Sequence, residues 1–376
     1  MRAASVFLLL TVTALLIFTH PSFAANEALP IDMAALEEET KLFKDLFVVT
    51  GTKQKRKTLK SPFSVFVLDR ERIDALAASD LTELLAAVPG LDVYRVNDRV
   101  TTVAPPGFNS EIANQFLLLV DGVPFPTIRG GGADFWQLPV QVDQVERIEY
   151  LPGPQTTLYG AYAAMGVINV ITRRANPETW DEESPSSIRL RMGGDGLEQY
   201  ESTYHYHRDD LAATFWTSFR SCDGYDQPLD SRTLAPSTSF FDQDGSINRK
   251  IGLSLRKEFD QNRSLRYDLT YLRGDRSPIL PTLEGDAREH RQNINSVITY
   301  SDSPSIDDSF TLVLKNFNKN TDFSDYKTPA FNPPGESDEF EDRKLEIRRQ
   351  FKDSRGRRFT LNGEYQHIIA FVNHLT

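Results

Sequence analysis

The stretch from about residue 187 to residue 370 restricts the fold of this chain more than any other. Nine segments there alternate apolar and polar residues with a period of two: about 187–192, 199–207, 211–221, 249–259, 264–273, 292–301, 309–317, 343–351 and 358–370. Leu253 and Leu255 stand against Ser254 and Arg256. Leu265, Tyr267, Leu269 and Tyr271 stand against Arg266, Asp268 and Thr270. Such a period puts one residue set on each face of a β-strand. The connections then sort by length. Arg208-Asp209-Asp210, Asp260–Arg263, Asp302–Asp308 and Lys352–Arg357 are short and polar, whereas Ser221–Asn248, Gly274–Arg291 and Asn318–Asp342 are long. Short and long alternate, so an antiparallel meander has all its long loops at one end. A soluble sandwich has no reason to sort its loops in this way. A transmembrane β-barrel does, and each segment has about the length of a tilted spanning strand.

The mean hydropathy of −0.40 argues against a helical membrane protein, but not against a barrel, whose strands carry little net hydropathy. Asp and Glu number 53 against 42 Lys and Arg, so a nucleic-acid surface is not expected to be the main business of the chain. Cys222 is the one cysteine and cannot form an intrachain disulfide. Met1–Ala24 reads as a signal peptide: Arg2, then the apolar run Val6–Phe18, then Ser22-Phe23-Ala24 before a cleavage site. Residues 25–60 follow as an N-terminal extension, with a possible helix over Ile31–Phe47 and a basic run at Lys53–Lys60 that reads as a solvated hinge.

Residues 61–175 have a different texture. Ser64–Leu68 reads as a strand. Asp69 can cap a helix through Ala77, and Ser79 or Asp80 starts a second helix with Leu81, Leu84, Leu85 and Val88 on one face. Phe116–Val120, Val145–Leu151 and Gly166–Thr172 are β-rich runs bounded by Asp121-Gly122, Gly153-Pro154 and Gly160. In order, VVTGTK (Val48–Lys53), PFSVFVLDRERI, LTELLAAVPGLDV, GFNSEIANQ, LLVDGVP, VERIE, GPQTTLYG and GVINVITRR resemble the plug domain of TonB-dependent outer-membrane receptors. The expected fold is an α+β plug domain (61–175), a linker (176–186) and an antiparallel transmembrane β-barrel (187–376) that is incomplete, with about nine candidate strands. Barrels of the family have roughly 22.

The resemblance implies import of a scarce nutrient of the ferric siderophore, haem or cobalamin class. The partners would be outer-membrane lipid and TonB with its inner-membrane energising complex. An extended periplasmic peptide would pair with TonB by β-augmentation. Asp45, Leu46, Phe47, Val48, Val49 and Thr50 are placed for that, and they also read as the first plug strand. By the same resemblance Phe108, Asn109, Arg129, Asp134 and Trp136 fall on outward plug apices and are candidate ligand contacts. The alternative is a non-transporting plug-bearing module or a truncated receptor fragment. No cofactor, metal centre or catalytic group is expected. His205 and His207 share a strand face with Glu201 and Thr203, and a polar lumen-facing surface explains them more simply than a metal. The sequence departs from the family where arginines commonly pair with barrel carboxylates. Pro106 and Pro152 stand there, which puts that lock in doubt.

Overall fold

The computed structural model describes residues 47–48, 56–57, 64–95, 101–105, 107, 116–125, 135, 138–160, 162–180, 186–224, 245–276, 288–305, 308–324, 337–353 and 357–373. Met1–Ala24, expected to be a signal peptide, the apical candidates Phe108, Asn109, Arg129, Asp134 and Trp136, and Asp45, Leu46, Val49 and Thr50 lie outside them, as does Pro106.

The chain enters through two short strands, β1 (Phe47–Val48) and β2 (Arg56–Lys57), paired antiparallel. The basic run is therefore not wholly a hinge: Arg56 and Lys57 form the partner strand of Val48 and Phe47. Then come β3 (Phe66–Leu68), α1 (Arg70–Leu76), α2 (Leu81–Ala86), β4 (Asp92–Arg95) and β5 (Thr101–Ala104). The Asp69 carboxylate accepts from Arg72 N and caps α1; Asp80 accepts from Glu83 N and caps α2. Between the two possible caps of the second helix, Asp80 takes the role, and Ser79 bonds the Glu83 carboxylate through its own backbone N–H at 2.6 Å.

The central strands are β6 (Phe116–Val120), β7 (Val123–Pro124), β8 (Val145–Pro152) and β9 (Gly166–Thr172), with a 3-10 turn at Val142–Gln144 and the one-turn helix α3 (Thr156–Tyr159). They form a five-stranded sheet in the order β3-β8-β9-β6-β7, in which β6 and β9 run parallel. One face packs Leu118, Ile148, Ile168 and Val170 against Ile73, Leu84, Leu85 and Val88 of the helices. The other face packs Leu117, Leu119, Leu151 and Val167. Strands buried on both faces need continuous apolar runs, hence FLLLV and GVINVIT. Gly166 is required: its φ is +155°, and a Cβ would lie 2.7 Å from the Leu151 carbonyl oxygen. Asp121 and Gly122, with φ of 50° and 77°, make the two-residue hairpin between β6 and β7.

After a 3-10 turn at Pro177–Thr179, nine strands follow: β10 (Ser186–Met192), β11 (Glu198–Arg208), β12 (Leu211–Cys222), β13 (Ser246–Glu258), β14 (Arg263–Arg276), β15 (Arg288–Ser305), β16 (Asp308–Ser324), β17 (Ser337–Lys352) and β18 (Arg358–Asn373). They pair in chain order as one antiparallel, unclosed sheet. Several strands outrun their alternating segments. β15 begins at Arg288, where polar residues on both faces erase the hydropathy period but not the ladder to β16.

Candidate functional site

The nine-stranded sheet has two unlike faces. On the outer face, Ile188, Leu190, Phe215, Ile251, Ile298, Leu314 and Ile347 are exposed to between 38% and 80%. They form a belt that drifts across the ladder. Register pairing carries Leu190 through Tyr200, Phe219, Arg249, Arg273, Gln292 and Asn320 to Glu339 on β17. The apolar centre on β17 is Ile347, eight residues further along. Over the seven steps from β10 to β17 that is about one residue per step. With a rise of about 3.4 Å and a strand spacing of about 4.8 Å, the belt cuts the strands at about 40° from perpendicular. Transmembrane barrel strands tilt by roughly 35–45°. A level hydrocarbon layer crossing tilted strands leaves this diagonal.

The inner face meets the α+β domain mostly through polar groups and, at β16 and β17, through aromatic packing: Phe125 lies against Phe317 with ring centroids 5.9 Å apart, and Phe340 packs beside it. On one side the segment from Leu138 to Asp143 lies along β10 to β13. Lys250 Nζ donates to the Leu138 carbonyl at 2.7 Å, Gln141 Nε2 to the Thr217 carbonyl at 2.5 Å, and Arg189 Nη2 to Asp143 at 3.2 Å. Ser187 also donates to Asp143. The exit from the domain is stapled to the same strands. Ala175 N donates to Thr214 Oγ1 at 2.8 Å, the Trp180 ring stacks on His205 at 4.4 Å, and Trp180 Nε1 donates to the Arg173 carbonyl at 2.6 Å. His205 and His207 thus serve this staple: His205 Nδ1 bonds Thr214 Oγ1, and His207 Nε2 bonds the Asp209 carbonyl.

On the other side, the hairpin Asp121–Pro124 is held by cations from three strands. Arg266 Nη2 on β14 donates to Asp121 Oδ2 at 2.7 Å. Lys315 Nζ on β16 donates to the Pro124 carbonyl at 2.8 Å, and Arg348 Nη2 on β17 to the Gly122 carbonyl at 3.3 Å. Each cation has a wall carboxylate besides: Asp268 for Arg266, Asp342 for Lys315 and Glu346 for Arg348. Asp121 also accepts from the Thr172 backbone N–H and hydroxyl, both at 2.7 Å, which ties the hairpin to the end of β9. A cavity of about 90 Å³ opens beside it, lined by Asp121, Pro124, Arg174, Arg266, Asp268 and Lys315. Val120, Val123, Phe125 and Val297 share that lining with the charged groups. Burial pushes the Arg174 guanidinium down from its usual value, against the opposing pull of Asp268 and Asp121. It stays anchored through the Pro139 carbonyl at 3.1 Å and over the Trp216 ring.

Of the residues named from sequence, Phe47 and Val48 lie in β1, and Pro152 ends β8 opposite Gly166. Charges do bridge wall and domain, but the arginines come from the wall. Sequence reasoning missed Arg266, Lys315 and Arg348. Their inward parity was readable; the hairpin they grip was not.

Residues 57–167 match the family model of the TonB-dependent receptor plug domain. Among solved structures, the alcaligin outer-membrane receptor FauA from Bordetella pertussis aligns with a TM-score of 0.60 at 13% identity, covering 87% of this chain and 50% of that one. The ferripyoverdine receptor of Pseudomonas aeruginosa, bound to ferripyoverdine, aligns at 0.60 and 12%, covering 88% and 46%. The siderophore receptor PirA from the same organism aligns at 0.56 and 17%, covering 84% and 49%. The α+β region is a TonB-dependent receptor plug, and the nine-stranded sheet has the fold of the barrel wall in these receptors. The chain spans about half the length of the solved structures it matches.

Proposed function

We propose that this chain acts in a TonB-dependent outer-membrane receptor that imports a ferric siderophore. The observation that carries the reading is the pairing of the two faces: a plug on the inside of the sheet and a diagonal apolar belt on the outside. Structural neighbours that bind ferripyoverdine and enterobactin support that ligand class over haem or cobalamin. An outer membrane holds no nucleotide supply, so work on the plug would come from TonB through the segment Asp45–Thr50. There, backbone pairing would supply most of the affinity. The β1–β2 pair leaves Phe47–Val48 extended, as such addition requires, though one of its edges is already taken by Arg56–Lys57. Phe108, Asn109, Arg129, Asp134 and Trp136 remain the proposed ligand contacts on the plug, and Met1–Ala24 the export signal.

The test is growth on single iron sources with and without the gene, together with fractionation. Loss of growth on one ferric siderophore, with the protein in the outer-membrane pellet, is the expected result. Unchanged growth on every source and a soluble periplasmic protein would overturn the proposal.

A further inference from the structure

At one edge of the apolar belt, the outer face of the sheet carries two arginines in direct register. Arg249 on β13 stands opposite Arg273 on β14, and both are exposed. Like charges opposed across a ladder repel. Asp275, the carboxylate beside them, is divided between two partners. Its Oδ1 bonds His290 Nδ1 at 2.5 Å, and its Oδ2 stands 3.6 Å from Arg249 Nη1. Arg249 also lies over the Phe219 ring, 5.7 Å from the centroid. Arg273 has no ion-pair partner among the described residues. The opposite edge is built differently. There the outward cations Lys257, Arg263 and Arg349 each have a carboxylate of their own: Asp210, Asp260 and Asp308. We propose that Arg249 and Arg273 together bind the phosphate of a lipid headgroup in the outer leaflet of the membrane.

Depth, shape and charge converge on this ligand. Arg263 and Arg273 bound the outward apolar run of β14. At about 3.4 Å per residue and a tilt of about 40°, Arg273 lies about 13 Å from the middle of that run, at the edge of a band roughly 25 Å tall. Headgroups begin at that level. β14 leads from Arg276 into the long connection 277–287, so this edge faces outside the cell where the short turn 259–262 faces the periplasm. Directly beneath the arginines, Ile251, Tyr271 and Ile294 form one register row, and all three are exposed. The surface is thus amphiphilic in the same sense as a lipid: cations at the headgroup level and an apolar row where acyl chains lie. Two guanidiniums beside one shared carboxylate leave a positive charge there. A phosphate bridging them would turn the repulsion of the register pair into two charge-assisted bonds. The inference rests on the outer-membrane reading of the sheet but not on the imported ligand. Fractionation tests that reading, and lipid binding in micelles tests this one.

The test uses the full chain in micelles of a neutral detergent, with bound lipid counted by native mass spectrometry. The probes are diphosphorylated lipid A, the same lipid without its phosphates, and inorganic phosphate. The phosphorylated lipid should bind at least about tenfold more tightly than the dephosphorylated one, and inorganic phosphate at the lipid's concentration should not displace it. Arg249→Gln and Arg273→Gln should each weaken binding of the phosphorylated lipid about tenfold, as for the loss of one charge-assisted bond, and leave the urea midpoint in lipid-free micelles unchanged. Arg263→Gln, at the opposite edge, should leave binding as it is. Where a glutamine variant fails to fold, Arg273→Lys keeps the charge and should hold binding within about threefold, since lysine also binds phosphate as a point charge. Equal binding with and without lipid phosphates, unchanged binding in both arginine variants, or an equal loss in Arg263→Gln would each overturn the site. Displacement by inorganic phosphate at equal concentration would overturn the lipid as its occupant.

Discussion

The diagonal belt makes a depth-dependent prediction that can be worked on one strand. On β14 the outward residues between Arg263 and Arg273 are Leu265, Tyr267, Leu269 and Tyr271. The two arginines are ten residues apart. At about 3.4 Å per residue and a tilt of about 40°, that separation projects to about 26 Å along the membrane normal, against roughly 25 Å for the apolar band of an outer-membrane barrel. The midpoint falls at residue 268, so Leu269 lies within about 3 Å of the midplane by the same geometry. Leu269→Arg should therefore cost about 2–4 kcal/mol, Tyr271→Arg less, and Arg273→Leu about nothing, since the penalty for a charge falls to roughly 0–1 kcal/mol near the interface. The assay is urea unfolding of the full chain inserted in vesicles, followed by tryptophan fluorescence, with the midpoint and slope of each variant compared. The order of the three costs matters more than their size. If Leu269→Arg costs less than Tyr271→Arg, or no more than Arg273→Leu, the belt is not a hydrocarbon layer and the tilt derived from it has no meaning.

Gly166→Ala should destabilise the plug by about 1–3 kcal/mol, because its Cβ meets the Leu151 carbonyl and its φ disfavours a side chain; thermal melting of the full chain measures it. Val48→Pro removes a ladder donor in β1 and should abolish capture by a TonB fragment, and retention at the wild-type level would place the TonB-binding peptide elsewhere. Protease added to intact cells should cut between Ser221 and Asn248 and spare Asp260–Arg263. Cleavage at the short turn alone would invert the topology.

The antiparallel wall was legible because one face of each strand is apolar and the other polar. Leu253, Leu255, Leu265 and Leu269 announce a period of two that no helix would keep. The plug core was legible for the opposite reason: FLLLV is apolar throughout and GVINVIT nearly so, with Asn169 and Thr172 as its polar residues, as strands covered on both faces require. Asp121-Gly122 marked the turn after Phe116–Val120, but not the short strand β7 beyond it. Strand ends were harder. Arg288–Arg291 is polar on both faces and Ser337–Arg343 has Phe340 as its one apolar residue, so their pairing with β16 and β18 depends on partners that local pattern does not name. The short strand Arg56–Lys57 was hidden in the same way inside a basic run that looks solvated.

The grip of the wall cations on the Asp121–Pro124 hairpin was illegible for a deeper reason. Alternation assigns Arg266, Lys315 and Arg348 to the inner face, and there it stops, because a polar lumen position looks alike whether it faces water or a plug. What distinguishes these cations is a contact across 145, 191 and 226 residues of chain. Nothing local selects such a partner. The wall sequence does carry one trace of it, which is the pairing of each cation with a carboxylate on its own or the adjacent strand. An immovable seam would be more cheaply made from apolar packing, since desolvating charges is costly even when they are paired. The plug does use such packing within its own core, where Leu118, Ile148 and Ile168 are sealed from solvent. Its seam with β14–β17 combines both kinds of contact: Phe125 packs on Phe317, with Phe340 beside it, next to the ion pairs of Arg266, Lys315 and Arg348. Inward parity tells none of these contacts apart, since Lys315 and Phe317 share one face of β16 and one grips a carbonyl while the other seals a core.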